Sequence, residues 1–151
     1  MNLDIEIEHE GWQAIAGLEE LARRAAAAVL VDDARAVTLL FSDDSEIRVL
    51  NREWRGQDKP TNVLSFPSAA DMALPAGEAP PLGDIILAYE TVAREAAEQN
   101  KTFADHTALL IVHGILHLLG YDHMEDTEAE EMEARERTIL ATLGITDPYA
   151  T

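Results

Sequence analysis

Hydrophobic and polar positions alternate along several short segments of the chain. Near the N-terminus, apolar Leu3, Ile5 and Ile7 alternate with charged residues, which is the period-2 pattern of a strand with one solvated face. Further short, mostly apolar segments between turn signals predict three more strands. The four predicted strands are Leu3–Glu8, Val37–Phe41, Asn62–Phe66 and Leu82–Ala88.

Helical periodicity fills much of the chain between and after these strands. An Ala-rich helix is predicted over Trp12–Val31. A second helix begins after Ser42 or Asp43, and Asp43 is the favoured N-cap because Glu46 can complete a capping box. The apolar side of this second helix carries Ile47, Leu50 and Trp54. Three later helices are predicted over Thr91–Gln99, Phe103–Leu119 and Thr127–Leu143.

Turn and cap residues mark the ends of these elements. Gly120 and Gly144 end the last two helices, and Thr127 with Glu130 forms the N-terminal cap of the last one. The stretch from Pro67 to Leu82 has further prolines and no period, which predicts a loop that either edges a functional cleft or is a simple excursion. Without a crossover helix there, at least one strand pair is expected to be antiparallel. The pattern predicts an α+β fold, a small mixed four-stranded sheet covered by about five or six helices.

Composition limits the classes of protein and of site. The chain has 151 residues, of which 47% are hydrophobic and 26% charged, no cysteine, and a formal net charge of -18. Such a length buries roughly 70% of the unfolded surface, so a single domain over residues 1–151 is expected. Without cysteine, a metal site must use His, Asp or Glu. The sequence shows no membrane span and no secretory signal, so a cytoplasmic location is expected.

Three of the five histidines lie close together in the sequence. His113 and His117 are one helical turn apart on one face, and a left-handed turn at Gly120 would bring His123 beside them. Three neutral imidazoles with an open fourth position form a catalytic Zn²⁺ site, here one per chain at the end of a buried helix. Bound water there would have its pKa lowered toward ~7. An isolated pair at this spacing would more often be a hydrogen-bonded core feature, and His106 is expected to be structural or to support a ligand.

Gly114 distinguishes this segment from that of the metzincin proteases. Their pattern H-E-x-x-H-x-x-G-x-x-H has a glutamate after the first histidine, where it acts as general base. Glycine inside a helix costs ~1 kcal/mol relative to alanine, so a specific reason for it is expected. Two reasons remain open from the residues, space beside the metal for a phosphate and close packing of the helix on the sheet.

A second cluster of candidate functional residues is basic. It holds four of the chain's eleven Lys and Arg residues, namely Arg48, Arg52, Arg55 and Lys59. Arg48 and Arg52 are interpreted as a solvated helix face. Arg55 and Lys59 lie at the helix exit beside Gly56 and Pro60, where charged groups more often face a ligand. An arginine fork suits two phosphate oxygens.

At these residues the sequence resembles a known family. The segments HGILHLLGYDH, RGQDKPTNVLSFP and LGDIIL, with the acidic EDTEAEEME run and the closing GITDPY, are similar to the YbeY family of bacterial rRNA maturation factors. The resemblance covers about Val37 to Tyr149, and it implies a zinc-dependent, single-strand-specific endoribonuclease with an α+β fold. By position it implies that His113, His117 and His123 bind zinc and that Arg55 is the functionally important arginine.

The same resemblance implies a biological setting. The expected role is maturation of the 16S rRNA 3′ end and ribosome quality control, with single-stranded RNA and the ribosomal small subunit or its assembly proteins as partners. Neither DNA nor a membrane is expected as a partner. Because a net charge of -18 repels nucleic acid, we expect weak intrinsic RNA affinity and delivery of the substrate by protein partners.

Two other functions compete with this interpretation. A metzincin-like metalloprotease fits the histidine spacing but lacks its proton acceptor at Gly114. A non-catalytic assembly factor would use zinc to fasten the last two helices and its acidic surface to bind a basic ribosomal protein. Asp84 and Asp122 could orient ligands or relay protons, or could be ordinary turn or cap residues.

Overall fold

The computed structural model of the chain describes residues 2–31, 35–68, 81–121 and 126–145. Four strands and six helices occur in these ranges. The strands are β1 (Asn2–Ile7), β2 (Ala36–Ser42), β3 (Val63–Pro67) and β4 (Gly83–Ala88). The helices are α1 (Glu10–Gln13), α2 (Leu18–Val29), α3 (Asp44–Arg55), α4 (Tyr89–Glu98), α5 (Phe103–Leu118) and α6 (Asp126–Thr142). Most of the predicted loop between Pro67 and Leu82 lies outside the described residues.

The strands form one mixed sheet in the order β1-β2-β4-β3. β1 and β4 both run parallel to β2, whereas β3 is antiparallel to β4, with Leu64 opposite Ile86. The mixed four-stranded sheet and the antiparallel pair are therefore confirmed. β3 is an edge strand that ends at Pro67, a residue that sheets accept at an edge because it has no N–H to donate.

Helices cover both faces of the sheet. Along β4, Ile85 and Leu87 belong to the main core with α2, α5 and α6, while Ile86 and Ala88 pack on the opposite face with Ile47 of α3. α5 lies in the middle of the main core, where most of its residues are buried. This arrangement confirms the predicted α+β class. No helix among the described residues is long and apolar enough to cross a membrane.

The predicted helix over Trp12–Val31 is wrong as one continuous element. The chain forms the short α1, breaks, and restarts as α2 after Gly17, whose φ of 73° is left-handed and incompatible with a helix interior. The break lets Trp12 enter the core at 0% exposure, with its indole N–H donating to the Ser42 carbonyl at 2.8 Å. Tertiary packing of this tryptophan thus overrides the helical pattern.

Most helix ends lie where the sequence predicts them. Asp43 caps α3 by accepting from the Glu46 N–H at 2.8 Å, but the Glu46 side chain accepts from the Ser42 hydroxyl, so the second half of the capping box is replaced. Gly120 and Gly144 follow α5 and α6 with φ of 104° and 75°, as predicted. The predicted cap at Thr127 is wrong, because α6 already includes that residue.

Replacement of Gly83 by alanine is expected to lower the free energy of unfolding by about 2–3 kcal/mol. Gly83 has a φ of 150°, and a Cβ there would lie 2.3 Å from the Phe66 carbonyl oxygen and 2.8 Å from Leu118 Cδ2. Urea denaturation of the variant measures the effect. Gly144→Ala is the control, since Gly144 has a left-handed φ of 75° but no described atom lies within 4 Å of the added Cβ. Equal losses in both variants would show that close approach to β3 is unimportant.

Candidate active site

The last turns of α5 bring two imidazole rings together. His113 and His117 lie one turn apart on this helix, and their Nε2 atoms are 3.0 Å from each other. Their ring centroids are 4.5 Å apart with the planes nearly perpendicular, at 79°. The spacing predicted from the sequence is thus confirmed as an actual convergence of two ring nitrogens.

Hydrogen bonds at the other ring nitrogens fix the protonation of both histidines. His113 Nδ1 donates to Glu136 Oε1 at 2.5 Å, and His117 Nδ1 donates to the Tyr121 carbonyl oxygen at 3.0 Å. A carboxylate and a carbonyl only accept, so each Nδ1 carries a proton, and in a neutral ring the Nε2 then presents a lone pair. Histidine ligands of metals are oriented in this manner.

The facing Nε2 atoms fit a metal ion. Two lone pairs 3.0 Å apart repel each other unless a proton or a metal cation lies between them. At a tetrahedral zinc with Zn–N bonds of 2.0–2.1 Å, two nitrogen ligands are about 3.3 Å apart, a few tenths of an ångström more. His113 and His117 therefore have the donor chemistry, orientation and spacing of two zinc ligands.

The third predicted ligand, His123, lies outside the described residues, as does Asp122. Within the described ranges no group of three or more His, Asp or Glu side chains is placed to hold a metal. The turn that leads toward His123 is nevertheless defined, since Gly120 N–H donates to the His117 carbonyl at 3.0 Å and Tyr121 N–H to the Leu116 carbonyl at 3.1 Å. This pair of bonds is a Schellman motif, and it places the Tyr121 carbonyl against His117. His123 as a ligand stays a prediction.

Sequence reasoning missed Glu136. This glutamate of α6 is fully buried, at 0% exposure, and its carboxylate pairs with His113. A signal was present, because Glu136 occupies the buried stripe of α6 between Met132 and Ile139, where an apolar residue is expected. A lone carboxylate in such a stripe must be paired, and its partner here is a candidate metal ligand.

The histidine pair opens onto a cleft of about 710 Å³ along the outer edge of β3. The ends of α3 and α5 form its two sides. We call this the edge-strand cleft, and its lining residues are Trp54, Arg55, Thr61, Asn62, Val63, Leu64, Ser65, Phe66, Pro67, His113, His117, Gly120 and Tyr121. Asn62 and Ser68 form backbone hydrogen bonds on the side of β3 that faces β4. The alternate residues Val63 and Ser65 therefore direct their backbone N–H and C=O groups away from β4. The cleft thus combines ring nitrogens with backbone groups that bond to no other strand among the described residues.

Of the four basic residues, only Arg55 lines the edge-strand cleft. Arg55 is the last residue of α3 and is exposed, and no ion pair to it occurs among the described residues. Arg48 and Arg52 are exposed, as predicted, but Arg48 also forms a fork to Asp58 with bonds of 2.9 and 3.3 Å. Lys59 is exposed and does not line the cleft, so its contact with a ligand stays a prediction.

Hydrogen bonds hold the segment that follows Arg55 in place. Gly56 ends α3 with a left-handed φ of 69°, and the buried Asn51 donates from its amide nitrogen to the Lys59 carbonyl at 2.8 Å. The fork from Arg48 to Asp58 holds the same loop from the other side. Arg55 therefore projects from a fixed helix end rather than from a free loop.

Acidification is expected to break the Arg48–Asp58 fork and to leave this loop held by the Asn51 bond. The hydrogen bond from Arg48 lowers the pKa of Asp58 below its ordinary value. A lowered pKa means stability that is present above about pH 4, the unfolded value, and is lost as the pH falls through the folded-state pKa. NMR titration of the Asp58 carboxyl should show the lowered pKa in the wild type and an ordinary one in Arg48→Ala. An unchanged Asp58 titration in the variant would contradict this role of the fork.

Gly114 has a packing explanation. A Cβ at this position would lie 3.1 Å from Ile85 Cγ2 and 3.2 Å from Ser65 Oγ, and the Ser65 hydroxyl donates to the Gly114 carbonyl at 3.1 Å. The space beside Gly114 is thus filled by the sheet rather than left for a phosphate. Of the two reasons left open by the sequence, the structure supports close packing of α5 on β3 and β4.

His106 is structural, as the sequence indicated. It is 3% exposed, and its Nε2 lies 3.0 Å from Glu95 Oε1, which also accepts from the Asn62 amide at 2.9 Å. This chain of polar groups runs from the core to one end of the edge-strand cleft and holds the start of β3. His9 caps α1 instead, and Asp84 is exposed on β4 outside the cleft.

Comparison with known proteins gives concordant results. A family model described as Endoribonuclease YbeY matches residues 3–144. The chain is 54% identical to Endoribonuclease YbeY of Azorhizobium caulinodans, with 99% of this chain and 97% of that protein covered. It is 49% identical to Endoribonuclease YbeY of Parvibaculum lavamentivorans, with coverage of 97% and 85%. The solution structure of TM1509 from Thermotoga maritima superposes with a TM-score of 0.59 at 28% identity, covering 99% of both chains.

Proposed function

Because this chain belongs to the Endoribonuclease YbeY family, we propose that it hydrolyses phosphodiester bonds in single-stranded RNA with the help of zinc. The observation that carries the proposal is the pair of facing Nε2 atoms of His113 and His117, each oriented by an acceptor at Nδ1. His123 would complete the set of three ligands, one zinc per chain. A zinc ion held there supplies Lewis-acid chemistry to a phosphoryl oxygen.

Arg55 supplies the second element of the proposed chemistry. Its guanidinium lines the same cleft as His113 and His117, and no other Lys or Arg among the described residues does so. A planar fork of N–H donors binds two phosphate oxygens at once and stabilises the negative charge that builds up in the transition state. Arg55 is accordingly the proposed catalytic residue outside the metal ligands.

The structure gives no support to a peptidase. The metzincin general base follows the first histidine, and here that position is Gly114, packed against Ser65 and Ile85. Glu136 cannot take over that role, because it is fully buried behind His113 and bonded to its Nδ1. None of the described residues that line the cleft is an aspartate or glutamate that could serve as this base.

The proposed substrate is ribosomal RNA. We infer a cytoplasmic role in 16S rRNA 3′-end maturation and ribosome quality control, with the small subunit or its assembly proteins as partners and no DNA substrate. The surface charge supports a protein partner, since Glu128, Glu130 and Glu131 of α6 are exposed to solvent. An acidic helix face is complementary to a basic ribosomal protein.

The proposed activity is tested on protein purified without a histidine tag or chelators. Zinc is measured by elemental analysis, and cleavage is followed on a single-stranded RNA, its duplex, a DNA of the same sequence and an unstructured peptide. We expect about one zinc per chain and cleavage of the single-stranded RNA alone. Zinc without RNA cleavage, even by stoichiometric protein, would favour the assembly factor, and peptide cleavage would favour the protease.

Replacement of Glu136 by glutamine is expected to weaken zinc binding by about 10- to 100-fold. Glutamine keeps an acceptor for His113 Nδ1 but removes the negative charge that makes the imidazole a better donor. Chelator competition measures the zinc dissociation constant. Glu133→Gln, a partly exposed glutamate of the same helix, is the matched control and should keep the wild-type value. Equal zinc affinities of the two variants would contradict a supporting role for Glu136.

A further inference from the structure

Trp54 is exposed where its sequence position predicts burial. It lies on the same side of α3 as Ile47, which is fully buried, yet 70% of Trp54 is exposed. Its ring contacts Phe66 of the edge strand, with centroids 6.1 Å apart and planes at 66°. This contact fixes one side of the indole and leaves most of its surface to solvent. A large aromatic surface in solvent is a feature of binding sites.

The neighbours of Trp54 indicate what it binds. Arg55, the next residue, lines the same cleft, and the opposite side of the cleft holds His113 and His117. An exposed aromatic ring beside an arginine is how proteins hold single-stranded nucleic acid, since the ring stacks on a base and the cation binds the backbone. Both groups project from the fixed end of α3, so base and phosphate would be held at a constant separation.

We propose that Trp54 is a stacking platform for one unpaired base next to the phosphate that is cleaved. The inference rests on the proposed function and adds to it a structural source of single-strand preference. A base within a duplex is already stacked and paired, so it cannot reach the ring without being unstacked. An unpaired base meets no such cost.

The test compares Trp54 variants on intact and abasic RNA. A set of single-stranded oligonucleotides, each lacking one base but keeping its phosphates, is assayed for kcat/KM with the zinc-loaded protein. Stacking is worth about 1–3 kcal/mol per base, so Trp54→Ala should lose about 5- to 150-fold on intact RNA. One abasic position should cost the wild type the same factor and cost Trp54→Ala nothing further. Trp54→Tyr should restore most of the activity.

Two controls accompany these variants. Val49→Ala removes another exposed apolar side chain, 41% exposed, from the same helix outside the cleft, and it should behave as wild type. Quenching of Trp54 fluorescence reports binding directly, because the other tryptophan, Trp12, is 0% exposed. The melting temperature of Trp54→Ala should be close to that of the wild type, since little surface is lost from the core.

The possible results separate this inference from the proposed function. RNA cleavage by the wild type with no change in Trp54→Ala would overturn the stacking platform and leave the endoribonuclease intact. Equal losses of Trp54→Ala on intact and on every abasic RNA would also overturn it, because no base would then be held by the ring. A loss seen only with a protein partner present would assign Trp54 to protein docking. Failure of the wild type both to bind and to cleave RNA would overturn both proposals.

Discussion

Replacement of His113 by alanine is expected to remove zinc and RNA cleavage together. Removal of one of the three proposed ligands would leave too few nitrogens to hold the ion, and His113 is also the proposed ligand that Glu136 orients through a bond of 2.5 Å. Elemental analysis should fall from about one zinc per chain to nearly none, and cleavage of single-stranded RNA should become undetectable. Thermal denaturation shows whether the variant is folded.

A second variant of a proposed zinc ligand controls for misfolding of His113→Ala. His113→Ala leaves the buried Glu136 carboxylate without this partner, which is a destabilising change. His117→Ala avoids the problem, because the acceptor at its Nδ1 is the uncharged carbonyl of Tyr121 rather than a buried carboxylate. His9→Asn is the matched control, a histidine outside the edge-strand cleft that should keep zinc and activity. Zinc at wild-type levels in both ligand variants would refute the metal site.

The part of the site that is local in sequence was predictable. His113 and His117 share a helix face because the α-helix repeats every 3.6 residues, and Gly120 ends the helix because glycine tolerates a positive φ. Glu136 was not predictable in its role, since it lies 23 residues from His113 and reaches it only when α6 packs against α5. Periodicity shows that Glu136 is buried but does not show what it faces.

The fold shows the same division between local and tertiary information. The strands were predictable from short apolar segments. The antiparallel pairing of β3 was predictable because no helix is indicated between β3 and β4. The break before α2 and the exposure of Trp54 were missed, because both depend on where the core ends. Trp12 gains a buried site by interrupting the helix, whereas Trp54 lies on the last turn of α3, where 70% of it stays uncovered.

Charge explains why affinity for RNA cannot come from electrostatics alone. The net charge is -18, and in the part of the chain that the structure describes only Arg55 among the Lys and Arg residues lines the edge-strand cleft. Proteins that bind nucleic acid through many phosphate contacts gain affinity by releasing counterions, a gain that scales with the number of contacts. RNA binding by this chain must therefore rely on a few contacts that are each strong. Loss of any one of them is expected to have a large effect on catalysis.

Replacement of Arg55 by alanine is therefore expected to lower kcat/KM for RNA cleavage by about 100- to 1,000-fold while zinc stays bound. The lost guanidinium is the proposed donor for charge that develops on the phosphate, and Arg55 does not contact His113 or His117 through any described bond. Single-turnover cleavage of a single-stranded RNA, with zinc content measured on the same samples, separates loss of chemistry from loss of metal.

Two further variants define what Arg55 contributes. Arg55→Lys keeps the charge but not the planar fork, so it should recover only part of the lost activity. Arg94→Ala removes an exposed arginine of α4 that pairs with Glu98 at 3.7 Å and does not line the cleft, and its cleavage rate should be that of the wild type. If Arg55→Ala cleaves RNA at the wild-type rate with zinc in place, the phosphate clamp must be assigned to another group, and the backbone N–H groups of Val63 and Ser65 that face away from β4 would be the next to test.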